Sequence, residues 1–259
     1  MAPKIALHDP TLGPLTDDLL TRDVRVYQRA KGHRFSSDDV ATAYVAFSAR
    51  PTAARVLDMG CGLGSVLLIL AWKLPEAQLA GVEAQAMSFE LLKRNVARSG
   101  FASRLTIAHG DLRDAELLAT LGQQFELVTG TPPYFPPEAA LDAEDEQRAY
   151  ARIEYRGGVE AYIEAGARLL APEGALVVCG DARVGERTTL AARAVGLSIR
   201  ARCDVIARAG RSALFSVWTL CAEPGSCTLS TLTLRGPDGQ PAAGADQLRE
   251  FSGMERIFS

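Results

Sequence analysis

The chain uses little cysteine and uses it without pattern: Cys61, Cys179, Cys203, Cys221 and Cys227 are scattered along 259 residues and include no Cys-x-x-Cys pair. That spacing indicates neither a disulfide framework nor a zinc site, and no metal is expected. There is no apolar run approaching the ~20 residues needed to cross a bilayer. Met1 to Asp18 lack the charged, apolar and small-residue order of a secretory signal, so the expectation is a cytoplasmic protein with no membrane partner. Positive charge is not in excess either. A net charge of −3 weighs against a protein that grips nucleic acid over its whole surface. Arg34, Arg94, Arg98, Arg104, Arg148, Arg152 and Arg156 could still supply a local basic face, and each fits a solvated mixed surface equally well. Internal repeats and low-complexity linkers are absent. With 47% hydrophobic and 23% charged residues, one domain over residues 1–259 is the economical expectation.

What is present is concentrated at residues 56–64, Val-Leu-Asp-Met-Gly-Cys-Gly-Leu-Gly, where an apolar strand ends in a glycine-dense turn before a helix-forming run from Ser65 to Leu74. Gly60, Gly62 and Gly64 let the backbone take positive φ and bring main-chain N–H groups close to a ligand. The spacing is Gly-x-Gly-x-Gly after Asp58, not the Gly-x-Gly-x-x-Gly that seats a dinucleotide pyrophosphate. Such a loop suits a ligand with a ribose and an amino-acid tail, and it resembles motif I of class I S-adenosylmethionine-dependent methyltransferases. Cys61, in the loop with no nearby histidine, is a small residue beside the ligand rather than a nucleophile.

Strands and helices alternate after this loop. Strands are expected at Gln78 to Glu83, Leu105 to Ala108, Phe125 to Thr129 and Ala175 to Cys179. Helices are expected at Ala86 to Ser99, Leu117 to Leu121, Glu154 to Leu170 and Thr188 to Val195, with Pro172-Glu173-Gly174 as a breaker. Ile199 to Ile206 and Leu214 to Cys221 have no helix between them and predict an antiparallel pair at one edge. Thr228 to Leu234 predicts a last strand and Ala245 to Phe251 a terminal helix. The whole is an α/β fold, a doubly wound, mostly parallel sheet of seven strands with an antiparallel C-terminal hairpin, the Rossmann-like arrangement of class I methyltransferases. Ligands should bind at the C-terminal strand ends.

Glu83 stands at such an end, 25 residues after Asp58, where a carboxylate can accept both hydroxyls of a ribose; a helix N-cap or a surface charge is the alternative. Asp111 could accept the exocyclic amine of an adenine or cap the helix that follows. Asp58 would hold the glycine turn and, through a water, an ammonium. Ala84 and Leu112, next to the two strand-end acids, and Thr131 complete the expected cofactor set. The fourth strand runs into Thr131-Pro132-Pro133-Tyr134-Phe135, which resembles the Asn/Asp-Pro-Pro-Tyr/Phe motif of methyltransferases that act on adenine N6, cytosine N4 or a glutamine amide. There the first side chain and the first proline carbonyl accept hydrogen bonds from the target NH2, and the aromatic stacks on the acceptor. Thr131 replaces the usual amide or carboxylate with a shorter, weaker acceptor.

The similarity extends further. Residues Tyr27 to Asp39, the segment Arg148-x-x-x-Arg152-x-Glu154 and the tail from Leu232 to Gly253 resemble the bacterial tRNA1(Val) adenine-N6 methyltransferases. The resemblance implies S-adenosylmethionine bound by Gly60, Gly62, Glu83 and Asp111, with Arg34, Phe35 and Ser36 near its methionine end and residues 1–50 covering cofactor and substrate. It implies a core over 51–221, a C-terminal strand and tail over 222–259, and an acceptor framed by Thr131, Pro132, Pro133 and Tyr134. The implied reaction is N6-methylation of an adenine in RNA such as tRNA. Thr131 and the acidic run Asp142 to Glu146 keep open a small-molecule N- or O-methyltransferase, and a non-catalytic cofactor-binding subunit is a third possibility.

Overall fold

The computed structural model describes residues 5–122, 124–139 and 145–255. The described chain opens with three strands, β1 (Leu7–Asp9), β2 (Gly13–Leu19) and β3 (Arg25–Arg29), paired antiparallel as a small sheet of their own. This sheet and the helix α1 (Ser37–Ala49) that follows were not foreseen from the sequence. The rest alternates: β4 (Arg55–Met59), α2 (Ser65–Lys73), β5 (Gln78–Glu83), α3 (Ala86–Arg98), β6 (Leu105–His109), α4 (Ala115–Thr120), β7 (Phe125–Gly130), α5 (Glu146–Arg152), α6 (Val159–Leu169), β8 (Leu170–Asp181), α7 (Gly185–Ala194), β9 (Ser198–Ile206), β10 (Phe215–Cys221), β11 (Thr228–Thr233) and α8 (Ala243–Phe251).

The main sheet has the order β11-β9-β10-β8-β7-β4-β5-β6, eight strands rather than the seven expected. β4, β5, β6, β7 and β8 run parallel, and β10 is antiparallel to both β8 and β9. The expected hairpin is therefore present but does not form the edge: β11 adds parallel to β9 outside it. Chain order reverses at β4, between β5 and β7, so the cleft at the C-terminal ends of these strands is the topological switch point where α/β sheets bind ligands.

Three boundaries differ from expectation for identifiable reasons. The helix expected to start at Glu154 starts at Val159, because Gly157 has φ +96° and Gly158 stays extended at the N-cap. Pro172-Glu173-Gly174 does not interrupt the chain: β8 starts directly at Leu170, with a register shift against β7 between Phe125 and Leu127 at the strand's exposed beginning, a position where proline costs little. The short helix α5 falls in a polar stretch that carries no apolar periodicity, and Asp145 caps it by accepting from the Arg148 N–H at 3.0 Å.

The core lies on both faces of the sheet. One cluster joins α1 and α2 to the sheet through residues such as Leu67, Leu68, Ile69 and Val217, and the other joins α6 through Met59, Tyr162, Ile163 and Trp218. α2 is buried from Ser65 to Ala71, all round its circumference, as its almost wholly apolar sequence requires. The N-terminal sheet is fastened to α3 by Asn95. This fully buried side chain accepts from the Tyr27 N–H at 2.7 Å and donates to the Tyr27 carbonyl at 3.1 Å and the Leu63 carbonyl at 3.0 Å, tying β3 to the glycine turn. Arg94–Asp9 and Arg98–Asp17 ion pairs flank it.

Candidate active site

The ends of β4, β5, β6 and β7 open on one cleft of about 880 Å³ measured to its mouth. Gly60, Cys61, Gly62, Glu83, Ala84, Asp111, Leu112, Thr131 and Phe35, all expected from the sequence, line it. The turn after β4 has Gly60 at φ +61° and Gly62 at φ +57°, in the left-handed region that glycine alone enters without strain. At Gly60 crowding adds to conformation, since a Cβ there would collide with the Tyr162 hydroxyl. At Gly62 a Cβ would meet no atom within 4 Å, so the backbone lies open to the cleft.

Glu83 is 8% exposed and anchors the turn. Its Oε2 accepts from the Gly62 N–H at 2.8 Å and its Oε1 from the Gln85 N–H at 2.7 Å, leaving each oxygen a lone pair toward the cleft. Burial pushes its pKa up, and the two backbone donors hold it back. Asp111 is the opposite case. Arg113 grips it with Nε to Oδ1 at 2.9 Å and Nη2 to Oδ2 at 2.7 Å, and its backbone N–H also reaches Oδ1, so the carboxyl sits below its usual range. Oδ2 keeps acceptor capacity. The cap of α4 is Asp114, not Asp111.

Other residues differ from their expected places. Asp58 is 1% exposed and lies below the cleft rather than in its wall. Its Oδ1 accepts from the Thr129 hydroxyl at 2.7 Å, tying β4 to β7, while Oδ2 is buried with no partner, and burial pushes the pKa to about 7. Arg34 turns away to pair with Asp18 at 3.0 Å, and Ser36 caps α1 in a capping box with Asp39. Gly64 is the N-cap of α2 at φ +96° and packs on Leu92 rather than on the cleft.

At the end of β7, Thr131 and Pro133 line the cleft and Pro132 is buried. The Thr131 hydroxyl has no hydrogen-bond partner among the described residues. Tyr134 does not reach the cleft wall: its ring packs on the core, and its hydroxyl sits 3.2 Å from both Asp38 Oδ2 and Cys179 Sγ. Burial raises its pKa well above that of a free phenol. It braces the turn against α1 and β8, while the next residue, Phe135, stands 41% exposed. Of the acidic run, residues 142–144 lie outside the described residues. Asp145 pairs with Arg29 at 2.8 Å.

Several lining residues were not among the expected site residues. Asp39 bears on the cleft, where its oxygens accept from the Ser65 hydroxyl at 2.6 Å and the Ser36 N–H at 2.8 Å. Desolvation first, then Asp38, push its pKa to about 7. His33 is held below its usual pKa by burial, despite Asp38, with Arg152 and Arg148 adding to the depression. Gln85, Ser88, Tyr150, Arg156 and Tyr162 complete the wall. The resemblance over Tyr27 to Asp39 took in His33 and Asp39, and the Ser36-x-x-Asp39 spacing, a capping-box signal, could have singled out Asp39.

A Gly-x-Gly turn with an acid at the next strand end, at the switch point of this sheet, defines the class I methyltransferase site. The chain belongs to the methyltransferase small domain family, whose model matches residues 34–201. More particularly, it is 30% identical over 190 residues to the tRNA1(Val) (adenine(37)-N6)-methyltransferase of Yersinia pestis, covering 72% of this chain and 74% of that one. The protein of the same description from Porphyromonas gingivalis is 37% identical over 123 residues, and the chain spans about half of that relative, 48% of its length. Among solved structures, the fold is similar to a predicted O-methyltransferase from Agrobacterium tumefaciens, with a TM-score of 0.62 at 16% identity over 86% of this chain and 100% of that one. It is also similar to a type I restriction-modification methyltransferase subunit from Streptococcus thermophilus, with a TM-score of 0.59 at 15% identity over 88% and 54%.

The donor of this family, S-adenosylmethionine, fits the residues present. The open backbone at Gly62 leaves room for it, Glu83 offers unused acceptor capacity to a ribose, and the Asp39 carboxylate in the cleft wall suits a cationic group.

Proposed function

We propose that the protein methylates the N6 amine of an adenine in tRNA, using S-adenosylmethionine. The observation that carries this reading is that the glycine turn with Glu83 and the Thr131-Pro132-Pro133 turn open on the same cleft. The names of the Yersinia and Porphyromonas relatives support the acceptor. Glu83 binds the ribose hydroxyls, and Asp111 Oδ2 with the backbone of Leu112 borders the adenine. Asp39 faces the methionine ammonium, with Phe35 and His33 closing that side against water.

When bound, the donor would supply a methyl group activated on a sulfonium, passed to the acceptor nitrogen with the neutral thioether as leaving group. The chain's part is to hold that nitrogen: the Thr131 hydroxyl and the Pro132 carbonyl accept its two N–H bonds, and the prolines fix the turn that aims them. Positioning is the main requirement, since the amine proton can leave after transfer. Tyr134 keeps the turn rigid from behind through Asp38 and Cys179.

The test is methyl transfer to unmodified total tRNA and, in parallel, to a small-metabolite extract, with Glu83→Ala as control. N6-methyladenosine recovered from the tRNA supports the reading. Label confined to small molecules replaces it with the second reading, a small-molecule methyltransferase, which Thr131 in place of an amide favours.

A further inference from the structure

About half of the described arginines are neutralised in ion pairs. Arg22, Arg25, Arg29, Arg34, Arg94, Arg98, Arg113, Arg168, Arg183, Arg187 and Arg202 each pair with a carboxylate. Arg148, Arg152 and Arg156 do not: among the described residues none of them forms an ion pair. Arg156 lines the cleft, and Arg148 and Arg152 stand on α5 beside the lining residues Tyr150 and Ala151. Arg148 and Arg152 act electrostatically on His33, and Arg156 acts on Glu83 and Asp111, all cleft residues.

Their arrangement follows from the local fold. Arg148 and Arg152 stand four apart on α5, hence on one face, and both are exposed. Arg156 lies with its guanidinium 4.5 Å from the Tyr150 ring centroid, and Tyr150 in turn meets Tyr155 edge-on at 5.4 Å. Tyr155 is 47% exposed and Phe135 41%. Phe135 is held beside α5 by backbone bonds from its own N–H to Arg152 at 2.9 Å and from the Glu154 N–H to its carbonyl at 2.8 Å. Glu154, the acid that could have neutralised this arginine group, is taken by Arg187 at 2.9 Å.

The platform is also fixed to the cofactor side. Gln147, 1% exposed, accepts from Arg29 Nη1 and the His33 N–H, each at 3.2 Å, and donates to the Ser88 hydroxyl at 3.1 Å. A helix shorter than two turns would not hold its shape alone. Here it is pinned at Asp145 and Gln147 while its other face carries unpaired charge.

We infer that the exposed face formed by Arg148, Arg152, Tyr155, Arg156 and Phe135 is the surface that holds the single-stranded RNA flanking the target adenine. Unpaired guanidinium groups take phosphates, and exposed rings beside them take unstacked bases, the combination that binds single strands. This rests on the tRNA reading above. It also fits an acidic chain acting on a polyanion: three arginines without an ion pair among the described residues gather at the mouth and set a local positive field there.

The experiment measures binding of fluorescein-labelled unmodified tRNA by anisotropy over a range of salt, with cofactor affinity by calorimetry and methyl transfer on the same samples. Arg148→Gln/Arg152→Gln should weaken tRNA binding roughly tenfold or more and reduce the salt slope by about 1.4, two single-strand phosphate contacts. Phe135→Ala should weaken it about tenfold with the slope unchanged. Cofactor affinity should survive in both, Arg148→Lys/Arg152→Lys should recover much of the binding, and Arg168→Gln should behave as the unsubstituted protein. If the unsubstituted protein methylates tRNA while both variants bind it with unchanged affinity and slope, this surface is wrong and the function stands. If the unsubstituted protein neither binds nor methylates tRNA, the function itself is wrong and the inference goes with it. Loss of cofactor binding in the variants would make these residues structural and also overturn it.

Discussion

The two walls of the cleft are built differently. On the side proposed for the cofactor, the glycine turn, the start of α2 and the N-terminus of α1 are joined by polar bonds around two acids: Gly62 and Gln85 donate to Glu83, and Ser65 and Ser36 to Asp39. On the side proposed for the acceptor, the Thr131-Pro132-Pro133 turn is braced from afar by Tyr134 on Asp38 and Cys179, and its outer rim presents exposed rings and arginines that form no ion pair among the described residues. A ligand whose shape never varies can be met by a preformed, desolvated set of donors and acceptors. A long, flexible polyanion is better met by charges left in water at the surface, where they need no partner in the free protein.

If the walls are separate in this sense, single substitutions should divide them. Glu83→Ala is the largest expected effect. It removes charged hydrogen bonds to the ligand and frees the Gly62 N–H. At about 1.5–3 kcal/mol for each such bond, cofactor affinity measured by calorimetry should fall roughly a hundredfold or more. A change of less than about threefold would remove Glu83 from the ribose.

Tyr134 sharpens the comparison from the other side. Tyr134→Phe keeps the ring in the core and loses the hydroxyl contacts, so stability in urea should fall by about 1 kcal/mol and turnover severalfold, with cofactor affinity within twofold. Tyr134→Ala should cost about 3 kcal/mol through the vacated space. Equal losses of cofactor binding and turnover in the Phe variant would mean that the walls are not separable.

Thr131→Asn tests the chemistry of the acceptor wall. An amide reaches further and accepts more strongly than a hydroxyl, so turnover on tRNA should rise by about the tenfold that 1.4 kcal/mol of hydrogen bonding supplies. A loss instead would show that Thr131 is fitted to another acceptor.

The smallest effect concerns protons on the cofactor wall. Asp39 has its pKa raised from 3.8 to about 7. A raised carboxyl pKa means that the folded state binds the proton more tightly, so the unliganded protein loses stability as pH rises through the window from 3.8 to about 7, and no more above it. A cationic ligand reverses the preference. Cofactor affinity should rise severalfold as pH rises toward 7, with proton release visible by calorimetry in buffers of different ionisation enthalpy, and Asp39→Asn should flatten that rise. A pH-independent affinity in the unsubstituted protein would take Asp39 out of contact with the cation.

The legibility of the two walls follows the same division. Gly60, Gly62 and Glu83 could be read because each fills a local backbone requirement at a strand end, and β5 was expected at its observed bounds, Gln78–Glu83. The turn from Thr131 to Phe135 was legible at the end of β7, but which of its rings faces solvent was not. Tyr134 and Phe135 are neighbours, and only the packing of α1 and β8 decides that the first turns inward. Arg34 and Arg148 look alike in sequence; one pairs with Asp18 of β2, and the other forms no ion pair among the described residues.

By itself the sequence determined the alternation of strands and helices, the glycine turn and the acids that close it, because hydrophobic periodicity and backbone conformation act over a few residues. The tertiary structure alone decided the rest: the three-stranded sheet stapled by Asn95, the outer strand β11 beyond the hairpin, the docking of α5 through Gln147, and which arginines find a carboxylate. Each of these depends on contacts between residues far apart in the chain, Tyr27 with Asn95 and Arg29 with Asp145 among them. The energy of such contacts is fixed by where packing brings side chains together, and no local pattern records it.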